Sequence, residues 1–177
     1  MEKTEYIEFD IKDENKFKDL LRIFNLICES RKLNSDKSDD FWLKSFPDYS
    51  LKMYYFSKKD IRPNFETEGN DDSWHFYSMI EHLTRDLDVE FISCKKVEDN
   101  KGRLDFYANG YPYGGISGLT YFLNTFACKA TKIDEGGGIY KVKWDNDIEL
   151  ELIDIKDDKN NNQNSLIKSL LSKIKLN

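Results

Sequence analysis

The chain has 177 residues and a formal net charge of −6, with 39% hydrophobic, 14% aromatic and 34% charged residues. This fits one domain with its own core and excludes wholesale disorder. No apolar run approaches the ~20 residues of a bilayer span. Residues 1–5 run into Tyr6-Ile7-Glu8-Phe9 without a signal-type apolar segment, so a cytoplasmic location is expected.

Ile7, Phe9 and Ile11 alternate with Glu8 and Asp10, which predicts a half-buried strand over 5–11. Asp13 then caps a predicted helix over 14–30, whose Phe17, Leu20, Leu21, Phe24, Ile27 and Cys28 form one apolar stripe. Residues 31–49 read as irregular, with a short helix near Phe41, Trp42, Leu43 and Phe46, and the aromatic-rich 50–56 reads as a strand. The polar stretch 57–70 holds Pro63 and Gly69 and reads as a loop, of a length that is usually functional or mobile. Asp72 or Ser73 is the expected cap of a second helix over 74–87, with Phe76, Ile80, Leu83 and Leu87 facing inward.

Strands are expected at 89–97 and 103–108. Then comes the loop Asn109-Gly110-Tyr111-Pro112-Tyr113-Gly114-Gly115, followed by a third helix over 116–128. Strands at 130–134, 139–144 and 147–155 follow, with a tight hairpin expected at Asp145-Asn146-Asp147. Residues 157–164 read as a polar, flexible linker after a single domain over 1–156. Leu166, Ile167, Leu170, Leu171 and Ile174 then mark a short amphipathic helix within 165–177, expected to pack back on the domain. Hairpin-joined strands with helices between them predict an α+β fold. The expected sheet is antiparallel or mixed, of about six to seven strands, with three main helices mostly on one face. Helix–strand–strand order occurs twice, over 74–108 and 116–144, without matching residue identities.

Charge is uneven. Residues 66–90 hold eight acids against Arg85 alone, and 145–158 hold seven against Lys156. Phosphate affinity comes from Lys and Arg, so these blocks argue against a nucleic-acid partner. They suit a basic protein partner, which a one-signed surface steers, or serve solubility alone. The glycine loop joins permissive backbone to two tyrosines either side of Pro112, a composition suited to contact. The rival reading folds both rings inward beside Phe122.

Gly114 and Gly115 precede a helix, where free N–H groups favour anions. No P-loop lysine, dinucleotide spacing or nucleophile elbow accompanies them, and Ser117 reads as a capping or first-turn residue. His75 and His82 stand two turns apart, ~10 Å along a helix and too far to share a metal, and read as surface residues. Asp145-Asn146-Asp147 lacks the glycine and glutamate of a calcium loop. Cys28, Cys94 and Cys128 are widely spaced and read as buried free thiols.

No catalytic signature, metal or cofactor emerges, and enzymatic activity is not favoured. The favoured reading is a non-enzymatic protein-binding domain, an acidic neutraliser analogous to inhibitors, antitoxins or immunity proteins. Its partner-binding residues are Tyr111, Pro112, Tyr113, Asp71, Asp72, Asp86 and Asp88. The alternative is a nucleotide- or small-molecule-binding enzyme or sensor using Gly114, Gly115, Ser117 and Gly118. Self-association through the aromatic loop is a third, and no membrane role is expected.

Overall fold

The N-terminal alternation forms strand β1 (Glu5–Ile11), which lies inside a six-stranded sheet. The computed structural model describes residues 4–70, 72–110, 115–146 and 149–155. After β1 come helices α1 (Glu14–Leu33), α2 (Asp39–Ser45), α3 (Asp48–Leu51) and α4 (Phe76–Glu81). A π-helical turn, His82–Asp86, continues α4 into strands β2 (Val89–Glu98) and β3 (Lys101–Ala108). Helix α5 (Ser117–Thr125) then leads to β4 (Cys128–Asp134), β5 (Ile139–Trp144) and β6 (Leu150–Asp154). No helix among the described residues is long and apolar enough to cross a membrane.

The strand order is β2-β3-β1-β4-β5-β6 and every neighbouring pair is antiparallel. β1 and β2 therefore run the same way with β3 between them, and β3 and β4 run the same way with β1 between them. Strands of one direction need a crossover, and the helices supply it. Two β-α-β units are thus interleaved in one sheet, which is the ferredoxin-like, split β-α-β arrangement, extended by β5 and β6. The twofold helix–strand–strand order seen in the sequence arises from this interleaving.

Ile7, Phe9 and Ile11 of β1 enter the core with Leu104 and Phe106 of β3 and Cys128, Ala130 and Ile133 of β4. Against them pack Phe17, Leu20, Ile23, Phe24 and Ile27 of α1, and Leu119, Phe122 and Leu123 of α5. The α1 stripe is centred on Ile23, while Leu21 and Cys28 are half-buried at its flanks. Asp13 caps α1, as its position predicts, by accepting the N–H groups of Asn15 and Lys16. Phe9 lies over Gly102 on the facing strand, and any Cβ at Gly102 would run into the Phe9 ring.

The other sheet face is polar and self-paired. Arg103 stands 3.7 Å from the Tyr6 ring centroid and donates from Nε to Asp105 Oδ1 at 2.6 Å. Asp105 also accepts from Ser93 Oγ (2.8 Å) and pairs with Lys95 (3.2 Å). Burial pushes the Asp105 pKa up, but the bonds from Ser93, Lys95 and Arg103 outweigh it and hold the carboxyl below its ordinary value.

Several expectations are corrected. Residues 50–56 do not form a strand, because Pro47 starts α3 and its carbonyl accepts the N–H groups of Ser50 and Leu51. Tyr54 is fully buried among aromatic rings, and only Tyr55 forms a bridge, to His75. The loop over 57–70 is fastened rather than free. Glu68 and Gly69 N–H both donate to the Lys52 carbonyl, and Arg62 donates to the carbonyls of Phe56 and Ser57. Neither Asp72 nor Ser73 caps α4; His75 does, its Nδ1 accepting the Ser78 N–H. Helix α5 ends before residue 128, since Ala127 takes a left-handed φ of 56° and turns the chain into β4. The last hairpin closes at Trp144–Leu150 rather than as a tight turn, and Asp147 and Ile148 lie outside the described residues. The linker over 157–164 and the helix over 165–177 lie outside them as well.

Two substitutions test this core. Phe24→Ala should cost ~3–5 kcal/mol in urea melts. Gly102→Ala should cost ~1–3 kcal/mol by pressing on Phe9, and a neutral result at both positions would refute the packing of α1 and β3 on β1.

Candidate functional site

The π turn, the residues beside it and the start of α5 hold most of the sequence-predicted site residues that are described. Arg31, in the last turn of α1, fixes the end of that turn. Its guanidinium donates to the carbonyls of Leu83 (3.0 Å) and Leu87 (2.9 Å), oxygens a helix terminus otherwise leaves orphaned, and to that of Val89 (2.6 Å) at the start of β2. Burial lowers the Arg31 pKa, and the negative charge of Asp88 acts the other way.

Asp88 follows directly. Its Oδ1 accepts from Asn109 Nδ2 at 3.0 Å, and its carbonyl accepts the Asn109 N–H at 3.0 Å. The first residue of the glycine-aromatic loop is therefore tied to the first residues of β2. Asp86 and Asp88 are both exposed, as is Asp72, which lies two residues before Trp74. Tyr111, Pro112, Tyr113, Gly114 and Asp71 lie outside the described residues.

Of the remaining loop residues, Gly115 has φ +77°, a left-handed conformation that favours glycine. Ser117 is the first residue of α5 and is exposed, but it is not a cap. Ile116 holds the cap position, and its side chain makes no cap bond. Gly118, one residue further, meets the imidazole of His82: a Cβ there would lie 2.5 Å from Nε2. The Trp74 ring lies 5.2 Å from the His82 ring.

Neither histidine is an ordinary surface residue. His82 is 9% exposed and Nε2 has no hydrogen-bond partner, alone among the buried side-chain polar atoms of the described residues. Burial lowers its pKa, and the negative charge of Asp86 raises it by less. His75 is bonded on both nitrogens. With Nδ1 accepting from Ser78, Nε2–H donates to Asp60 Oδ2 at 2.7 Å. Burial raises the Asp60 pKa, but the bonds from His75 and Ser57 leave it below the ordinary value.

Sequence periodicity missed His82 and Trp74. The available signal was the place of His82 beside Met79 and Leu83 on the apolar stripe of α4, which a surface histidine would avoid. No group of three His, Cys, Asp or Glu side chains among the described residues is placed to hold a metal ion. The three cysteines are free thiols, with Cys128 buried and Cys28 and Cys94 half-buried. Burial pushes the pKa of Cys28 up to about 11 and that of Cys128 up to about 12, away from thiolate reactivity. No protein-family model, curated protein or solved structure matches the chain.

The buried imidazole predicts a pH dependence. With its folded pKa below the ordinary 6.5, His82 takes up its proton more readily in the unfolded chain. Its contribution is full above that value and is lost as pH falls through the folded pKa. Melting temperatures from pH 7.5 to 5 should therefore fall less for His82→Phe than for the wild type, and parallel curves would refute the burial of a neutral ring.

Proposed function

We propose that the chain is a non-enzymatic, cytoplasmic protein-binding domain, an acidic neutraliser of a basic protein in the manner of inhibitors, antitoxins and immunity proteins. The observation that carries the reading is the tie between Asp88 and Asn109, which joins the acidic segment to the aromatic loop. Exposed Asp72, Asp86 and Asp88 supply negative charge, with Asp88 directly beside the first residue of that loop. A partner is first drawn by charge and then held by the loop, where Tyr111 and Tyr113 offer contact area at low entropic cost and Pro112 limits the backbone. Asp71 adds to the same charge. The reading rests on chemistry and placement, since a fold of this kind hosts many functions.

The test is kinetic. Once a basic partner has been recovered with the native chain, its association rate should fall with added salt, with little change in dissociation. The triple substitution Asp72→Asn, Asp86→Asn, Asp88→Asn should lower the association rate by about 10-fold at low salt. An association rate indifferent to both salt and the substitutions would remove the acidic surface from function.

A further inference from the structure

The orphaned nitrogen of His82 points to a second kind of ligand, independent of the acidic partner surface. A buried polar atom without a partner costs about 1–3 kcal/mol, and native folds keep few of them. His82 also opens the π turn, a distortion that recurs at functional sites. Its Nε2 is directed at Gly118, in the first turn of a nine-residue helix whose N-cap residue, Ile116, makes no side-chain cap bond. Only glycine at 118 allows that approach. The first turn of a helix carries N–H groups whose dipoles favour an anion, so two kinds of donor converge on one place.

We propose that His82, Gly118 and the first turn of α5 form a binding site for a small molecule held through a single phosphate or carboxylate group. Nε2–H of the neutral imidazole and the first-turn N–H groups donate to its oxygens. Two neighbours narrow the ligand. Exposed Asp86, at the far end of the π turn that His82 opens, opposes a heavily charged polyphosphate, so one anionic group is favoured over three. Trp74, half-buried against the His82 ring, offers aromatic surface to a ligand that carries its anion on a ring. Nε2 has no contact with solvent, so the ligand reaches it only by moving side chains packed around the imidazole.

The test is a thermal-shift titration of the full chain at constant ionic strength. The probes are inorganic phosphate, succinate, a nucleoside monophosphate and the matching triphosphate. At 100 times its dissociation constant, a monophosphate or carboxylate probe should raise the melting temperature by roughly 5–10 °C, and the triphosphate by less. His82→Phe keeps a ring and removes the unpaired nitrogen. It should melt no lower than the wild type at pH 7.5 without probe, and should lose the shift. Gly118→Ala should lose the shift too. Should that variant not fold, the side-chain nitrogen signal of His82 in the wild type, followed through the phosphate titration, takes its place and should move. A wild type flat to all four probes overturns the site, as does a His82→Phe chain that keeps the full shift. A flat wild type with a His82→Phe chain that melts well below it would assign Nε2 to an internal water instead, and equally overturns the site.

Discussion

One guanidinium holds together the end of the molecule where α1, the π turn and β2 meet. Where the π turn ends and β2 begins, three carbonyl oxygens would otherwise face a half-buried space without donors, and Arg31 supplies all three bonds. Hydrogen bonds to a charged donor contribute about 1.5–3 kcal/mol each when buried. Its planar fork spans oxygens from three residues, which a lysine ammonium would not do equally well. The positions of His82, Asp86 and Asp88 all follow from that grip. So does the start of β2, the edge strand that pairs with β3.

The sheet solves a different problem on each of its faces. On the helical side, Gly102 gives way to Phe9, and close packing depends on an absent side chain. On the far side, Tyr6, Arg103, Asp105 and Lys95 satisfy one another. A one-residue slip of β3 would place Arg103 against the core and Leu104 in the open, so the charge network and the apolar face specify the same register.

Much of this was legible from residue order. The alternation of Ile7, Phe9 and Ile11 marked β1 at the bounds it has, and the stripe from Phe17 to Ile27 marked α1, because both patterns bury a face against the same core. Residues 50–56 misled, because the consecutive aromatics Tyr54, Tyr55 and Phe56 suit a buried corner after a helical turn as well as a strand. The π turn left no mark, since Leu83 and Leu87 keep the spacing of an ordinary helix. The juxtaposition of His82 with Gly118 was not legible at all. It depends on two crossovers that bring α4 and α5 side by side, and no local preference encodes that approach. The loop chemistry at Asn109 and Gly115 was visible in composition, while its anchoring by Asp88 was not.

The interleaving of the two β-α-β units has a consequence for how the chain is made. β1 is synthesised before both of its hydrogen-bonded neighbours, β3, around residues 101–106, and β4, around residues 128–134. Ile7, Phe9 and Ile11 can pack on α1 early, but neither strand edge of β1 is paired until most of the chain has been synthesised. Through that interval β1 is an apolar strand with two open edges, the form most prone to pair with another chain. Glu8 and Asp10 then act as gatekeepers against premature pairing, well before Glu8 joins Arg103 and Lys132 in the finished sheet.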